Sequence, residues 1–179
     1  MAGSRDSENK SPLLLILFGL PGAGKTFAGQ LLHSDFGFTF HEADDDIPDG
    51  YRQLVLAGLV VGEPMRDAYH RHLIERIAEL QLAHPRLAVA APLLRDRHRQ
   101  WIHGRFPEAV FILVKCDQQT WQARLAARAD TISLDYARKV AGLYEPATVP
   151  HVKLDDSSLG PEVVRRQIEE ILAGVSGKP

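Results

Sequence analysis

Leu13 to Phe18 is six consecutive apolar residues with no alternation. A strand covered on both faces has this pattern, because neither side of its pleat meets water. Leu87–Ala91 and Ala109–Val114 repeat the signal, and Phe36–Phe40 and His151–Leu154 are shorter strand candidates. Between these runs the period changes. Thr26–Leu32 sets Phe27, Ala28, Leu31 and Leu32 on one stripe of a helix. Further helices are predicted over Tyr51–Ala57, Pro64–Leu82, Asp96–Gly104, Asp117–Arg128, Leu134–Leu143 and Pro161–Leu172. Pro64 suits a first helical turn, where a missing N–H costs nothing. Strands and helices alternate throughout, which predicts an α/β chain: a three-layer α/β/α sandwich around a central parallel sheet of about five strands.

The length of 179 residues fits one domain. Residues 1–12 are small, polar and mixed in charge, so they read as a disordered tail ahead of a single domain over 13–175. Lys plus Arg number 21 against 23 Asp plus Glu, a formal charge of -2. That near-balance argues against a general nucleic-acid binder, whose affinity comes largely from neutralising phosphates. The apolar run from Leu13 to Leu20 is far short of the roughly 20 residues of a membrane span, so no membrane partner is expected. The run follows a start of mixed charge and leads into glycines, unlike a signal peptide. The one cysteine, Cys116, cannot form an internal disulfide and is read as a buried strand thiol, which together predict a cytoplasmic protein. A monomer or a homodimer is expected.

Gly19-Leu20-Pro21-Gly22-Ala23-Gly24-Lys25-Thr26 matches the Walker A pattern in full. It leaves an apolar strand and opens a helix, as its mechanism requires. Glycines let the backbone wrap a phosphate, and a helix N-terminus offers unpaired N–H groups and a positive dipole end. Lys25 is placed to reach the β- and γ-phosphates, and the Thr26 hydroxyl to hold Mg²⁺. The predicted nucleotide contacts are Gly19, Pro21, Gly22, Ala23, Gly24, Lys25, Thr26 and Phe27, and the predicted cofactors are ATP and Mg²⁺. A GTPase is excluded on two counts. Val114 stands where Asn-Lys-x-Asp has its asparagine, and Asp49 closes Asp46-Ile47-Pro48-Asp49 where a switch has glycine. Motor ATPases end an apolar strand in an acid, whereas Leu87–Ala91 runs into Pro92. Carboxylates from elsewhere are therefore required, as in small kinases.

Their predicted source is the acidic loop Glu42 to Asp49, just past the second strand candidate. Ligand sites of parallel sheets lie at the strand C-termini, so this loop should face the phosphates. Glu42 and Asp44, two apart, would point the same way if the strand persisted. One carboxylate could deprotonate an acceptor hydroxyl while the other helps hold Mg²⁺. Arg124 and Arg128 stand four apart on one helix face, with Thr120 rather than an acid at the preceding i-4 position. Like charges so placed repel unless an anion lies between them, and a phosphate chain would supply it. The polar stretch after them reads as a short lid over about 128–135. Arg95, nearest the end of the third long strand, is the best candidate of its basic cluster for an anionic acceptor. The eight histidines show no ligand spacing, so no zinc site is expected.

With these residues in place, the chain resembles the small P-loop kinases of the gluconate kinase and shikimate kinase group, over most of its length after the tail. Phe40-His41-Glu42-Ala43-Asp44 is similar to the family's strand-two segment, and Gly62-Glu63-Pro64-Met65-Arg66-Asp67 to Gly-x-Pro-(Leu/Met)-x-Asp. Arg124 to Arg128 resembles the lid arginine pair, Tyr144-Glu145-Pro146 the Glu-Pro beyond it, and His151 to Asp155 the last strand. The resemblance implies Asp44 at the acceptor hydroxyl, Lys25 and Arg128 at the phosphates, and Thr26 at the metal; the expected site adds Glu42 at the metal and Asp67 and Arg95 at the acceptor. Tyr69 and His70 replace an acid and an arginine of gluconate kinases. Leu94 and Arg95 replace their paired lysines, and Asp130-Thr131-Ile132 their Gly-His-Phe. Ala91-Pro92-Leu93 is not the glycine triplet of shikimate kinases. The expected activity is transfer of the ATP γ-phosphoryl to a hydroxyl of a small polar metabolite, a sugar acid or polyol. The alternatives are a nucleoside or nucleotide kinase and a non-catalytic ATP-binding switch.

Overall fold

The computed structural model describes residues 12–127, 133–157 and 160–176. Most of the predicted tail, and the stretch 128–132 that holds Arg128 and most of the predicted lid, lie outside them. Five parallel strands form one sheet: β1 (Leu13–Phe18), β2 (Thr39–Glu42), β3 (Arg86–Ala91), β4 (Val110–Lys115) and β5 (His151–Asp155). Their order is β2-β3-β1-β4-β5. In register, Phe18 stands beside Ala91 on one side and Leu113 on the other, so β1 and β3 finish level and β4 runs two residues further. The helices are α1 (Lys25–Phe36), α2 (Asp49–Leu56), α3 (Glu63–Ala83), α4 (Asp96–Arg105), α5 (Gln118–Ala127), α6 (Leu134–Ala141) and α7 (Pro161–Ser176).

The unbroken apolar run of β1 has its cause in the layers around it. Leu15 and Leu17 pack with Ala28 and Leu32 of α1 and Val164 and Ile168 of α7. Leu14, Ile16 and Phe18 face the other way, against Leu73 and Ile77 of α3 and Ile102 of α4. Burial of such side chains stabilises by roughly 1.5–3 kcal/mol each, so the central strand contributes heavily to the fold. The packing of α1 is closest at Gly29, where a Cβ would lie 2.1 Å from the Phe40 ring. Among the described residues no helix is long and apolar enough to cross a membrane.

Three local expectations are corrected. Phe36 is the end of α1, not the start of a strand. Gly37 takes a left-handed turn at φ 70° there, and the Phe38 N–H returns to the Leu32 carbonyl at 3.1 Å. That helix stop delays β2 to Thr39. The acidic loop is partly ordered, with Ala43–Asp46 forming a single 3₁₀ turn straight after β2. Cys116 lies one residue past β4 and is half-buried, not enclosed within the strand.

Candidate active site

All five strands point one way, so their C-terminal ends share an edge of the sheet. The crevice opens there around β1, from which successive connections diverge to either side. The loop leaving β1 enters α1 through Gly24 at φ 105°, and a Cβ on Gly24 would lie 1.9 Å from the Asp156 carboxylate. Only glycine meets both demands. No side chain caps the start of α1 and no acid lies in its first turn, which leaves the N–H groups and the positive dipole end to an anion. The Lys25 ammonium donates to the Gly19 and Leu20 carbonyls at 3.2 and 3.0 Å, so it folds over its own loop.

A cleft of about 310 Å³ lies over this loop, lined by Pro21, Gly22, Gly24, Lys25, Thr26 and Phe27, with Glu42, Asp44, Arg124 and Asp156 opposite. Ala23 instead turns to an apolar cavity on the other side of the loop. The Thr26 hydroxyl donates to Glu42 Oε2 at 2.6 Å, bringing two hard oxygen donors together at the helix start. Among the described residues no three His, Cys, Asp or Glu side chains converge. A divalent cation here would therefore draw most of its ligands from phosphate and water, the habit of Mg²⁺.

Glu42 and Asp44 reach one cleft, but not by strand alternation. β2 ends at Glu42, and the 3₁₀ turn swings Asp44 toward the phosphate loop. The turn is braced from behind: the Tyr69 hydroxyl donates to the Ala43 carbonyl at 2.7 Å, and Arg52 donates to the Asp44 carbonyl at 3.2 Å. Asp46 is taken by His41 at 2.6 Å and Asp45 does not line the cleft, so of the acids from Glu42 to Asp46 the two that face it are Glu42 and Asp44. Desolvation pushes the Glu42 carboxyl above the ordinary range, partly offset by the Thr26 hydrogen bond. Asp44 opens to solvent on the cleft side yet is crowded by protein. Desolvation raises its pKa too, and the nearby Lys25 charge opposes the rise.

Arg124 lines the cleft, but the anion beside it is a protein group. Its Nη1 lies 2.9 Å from Asp156 Oδ2, at an angle poor for a hydrogen bond. Asp156 is 3% exposed and follows β5 directly, its N–H bonded to the Lys115 carbonyl. The Trp121 indole N–H donates to the Pro21 carbonyl at 2.7 Å, tying α5 to the phosphate loop. Sequence reasoning missed Asp156 and Trp121. The only signal for the first was an acid pair closing the last strand, and for the second there was none.

Asp67 and Arg95 do not line this cleft. Arg95 bridges Glu63 at 2.6 Å and Glu145 at 3.2 Å, and Asp67 accepts from Arg97 at 2.7 Å and His98 at 2.7 Å. Those hydrogen bonds hold the Asp67 and Glu63 carboxyls below the usual carboxylate range. The basic cluster after β3, from which the sequence singled out Arg95 for an anionic acceptor, is thus a network joining α3, α4 and the segment after α6. Arg99 is fully buried in it, on the carbonyls of Leu93, Glu145 and Pro146.

No protein-family model matches the chain, and no curated protein sequence does. Solved structures match in shape. A sugar kinase from Janibacter sp. HTCC2649 superposes with a TM-score of 0.78 at 16% identity, over 90% of this chain and 94% of that one. A gluconokinase from Sinorhizobium meliloti 1021 gives 0.72 at 19%, covering 92% of both chains. A shikimate kinase from Bacteroides thetaiotaomicron gives 0.64 at 14%, over 90% and 98%. The chain therefore has the three-layer α/β/α fold of the small P-loop kinases typified by gluconokinase and shikimate kinase.

Proposed function

We propose that the protein is an ATP-dependent phosphotransferase that moves the γ-phosphoryl group to a hydroxyl of a small polar metabolite. The observation that carries this reading is the pair of acids across from the phosphate loop: Glu42 on the Thr26 hydroxyl, and Asp44 beside it in the same cleft. The first-turn N–H groups of α1 and the Lys25 ammonium bind the phosphate chain. Thr26 and Glu42 are hard oxygen donors suited to Mg²⁺, which when bound neutralises charge on the β- and γ-phosphates. Asp44 orients the acceptor hydroxyl and takes its proton as the oxygen attacks phosphorus. Its raised pKa makes it a stronger base than an ordinary aspartate. Arg124, swung from Asp156 toward the phosphates, and Arg128 supply positive charge to the transferring group.

The test is coupled ADP release from Mg·ATP against sugar acids, polyols and nucleosides, with Lys25→Ala as the blank. A Lys25-dependent rate stimulated by one acceptor class supports the reading. Tight ATP binding with no stimulated rate across the panel moves it to a nucleotide-binding switch.

A further inference from the structure

The phosphate loop contains a turn whose middle peptide can face either way. Leu20, Pro21, Gly22 and Ala23 close on a bond from the Ala23 N–H to the Leu20 carbonyl at 3.2 Å, and Gly22 stands at φ 81°. Proline at the second position and a positive φ at the third make it a type II turn. Its common competitor, type I, keeps the same end residues and differs by a half-rotation of the Pro21–Gly22 peptide. Proline fixes its own φ, but its ψ and the unsubstituted Gly22 leave that rotation free. A group outside the turn has to choose.

Trp121 of α5 is placed to choose. Its indole N–H donates at 2.7 Å to the Pro21 carbonyl, which belongs to the peptide that rotates. That peptide is trans, so the Gly22 N–H points away from the carbonyl and from Trp121. Pro21 and Gly22 line the cleft over the loop. Trp121 instead lines the apolar cavity of about 430 Å³ behind it, with Leu20, Ala23, Cys116 and Tyr144. No acceptor among the described residues is bonded to the Gly22 N–H. The indole is half-buried beside the cavity rather than enclosed in the core, and Leu125, one turn further on, also packs on Gly22. What Trp121 adds to that packing is the N–H.

We propose that Trp121 is a positioning residue for the nucleotide: its N–H holds the Pro21–Gly22 peptide in the orientation that presents the Gly22 N–H to a phosphate oxygen. The inference rests on the nucleotide-binding half of the phosphotransferase reading. Without the indole donor, the turn spends part of its time flipped, with the Pro21 carbonyl toward the phosphates and its lone pairs repelling them. Affinity then falls by the share of binding-competent loops that is lost. The coupling also runs the other way. A phosphate on the Gly22 N–H strengthens the bond from Trp121, because hydrogen bonds chained through one peptide polarise each other.

The test removes one N–H. Trp101, on α4 beneath the Arg71 guanidinium, is the other of the two tryptophans, and Trp101→Phe leaves Trp121 alone. That protein is made once with tryptophan and once with benzothienylalanine, whose sulfur replaces the indole N–H at nearly the same shape. In calorimetric titration the sulfur form should bind Mg·ADP about threefold to tenfold more weakly, the range that one neutral hydrogen bond supplies. In the tryptophan form the ¹⁵N-labelled indole resonance should move downfield when Mg·ADP binds, a response that a side chain serving only the fold does not give. Equal Mg·ADP affinity in the two forms, or an indole resonance that Mg·ADP leaves in place, overturns the proposal. Where the sulfur form does not fold, Trp121→Phe replaces it, and undiminished affinity there overturns it as well. A tryptophan form that binds no Mg·ADP at all sinks the nucleotide reading together with this one, an outcome distinct from binding that ignores the N–H.

Discussion

Asp44 is an acid that folding makes less willing to ionise, and two consequences follow at the scale of that residue. As the base of the proposed transfer it must be unprotonated, so activity should fall away on acidification at a higher pH than an ordinary aspartate would dictate. In a pH–rate profile Asp44→Asn should lower kcat by about a hundredfold or more, while ATP affinity in a titration stays near wild type. The second consequence concerns stability. A raised carboxyl pKa means the folded state binds the proton more tightly than the unfolded chain, so the charged form opposes folding. The penalty is absent below the unfolded pKa, grows as pH rises between the ordinary and the raised value, and is fully present above. At neutral pH Asp44→Asn should therefore raise Tm in a thermal melt of the ligand-free protein, the opposite direction from its effect on rate. A lower Tm with unchanged kcat would remove Asp44 from the centre of the site.

The contact of α1 with β2 sets where Thr26 and Glu42 meet, because Thr26 opens the helix and Glu42 closes the strand. Gly29 makes that contact possible, with the Phe40 ring filling the space a side chain would need. Gly29→Ala should destabilise by about 1–3 kcal/mol through overpacking, read as a lower denaturant midpoint. Adding Phe40→Leu should recover part of the loss, since the two residues share one space. The same element explains a misreading. Phe36, Phe38 and Phe40 suggest a strand by composition, yet Gly37 ends α1 after Phe36, and Phe38 is buried beneath Arg86 in the connection. Local propensity favoured a strand there, and the helix stop with its packing overrode it.

Across the whole molecule, two systems hold the strand ends in place. On the side of α5, Trp121 on Pro21 and Arg124 on Asp156 tie that helix and the end of β5 to the phosphate loop. On the side of α3 and α4, Arg99 gathers the Leu93, Glu145 and Pro146 carbonyls, and Asp96 pairs with it at 3.1 Å. Arg99→Met would strand those acceptors in the core. It should cost about 3–5 kcal/mol, seen as a large drop in Tm, with any surviving activity showing a raised acceptor KM. Asp156→Asn should leave the fold intact and free Arg124, changing the KM for ATP rather than that for the acceptor. A Tm loss as large as that of Arg99→Met would instead make Asp156 a structural anchor.

The sequence by itself determined the layer order, the five strands and the phosphate loop, because each is written in contiguous residues whose period or spacing has one physical use. Six apolar residues in a row need cover on both faces, and glycines before Lys25-Thr26 need a strand behind and a helix ahead. Glu42 and Asp44 were legible for the same reason, although the bend that brings them together was not. Only the tertiary structure decided the partners of the charged side chains. Arg95 and Arg66 are alike as letters, yet one is neutralised by Glu63 and Glu145, 32 and 50 residues away, while the other is buried with no carboxylate paired to it among the described residues. Burial and opposing charge come from residues far along the chain. What an arginine is for is therefore set by what folding places around it.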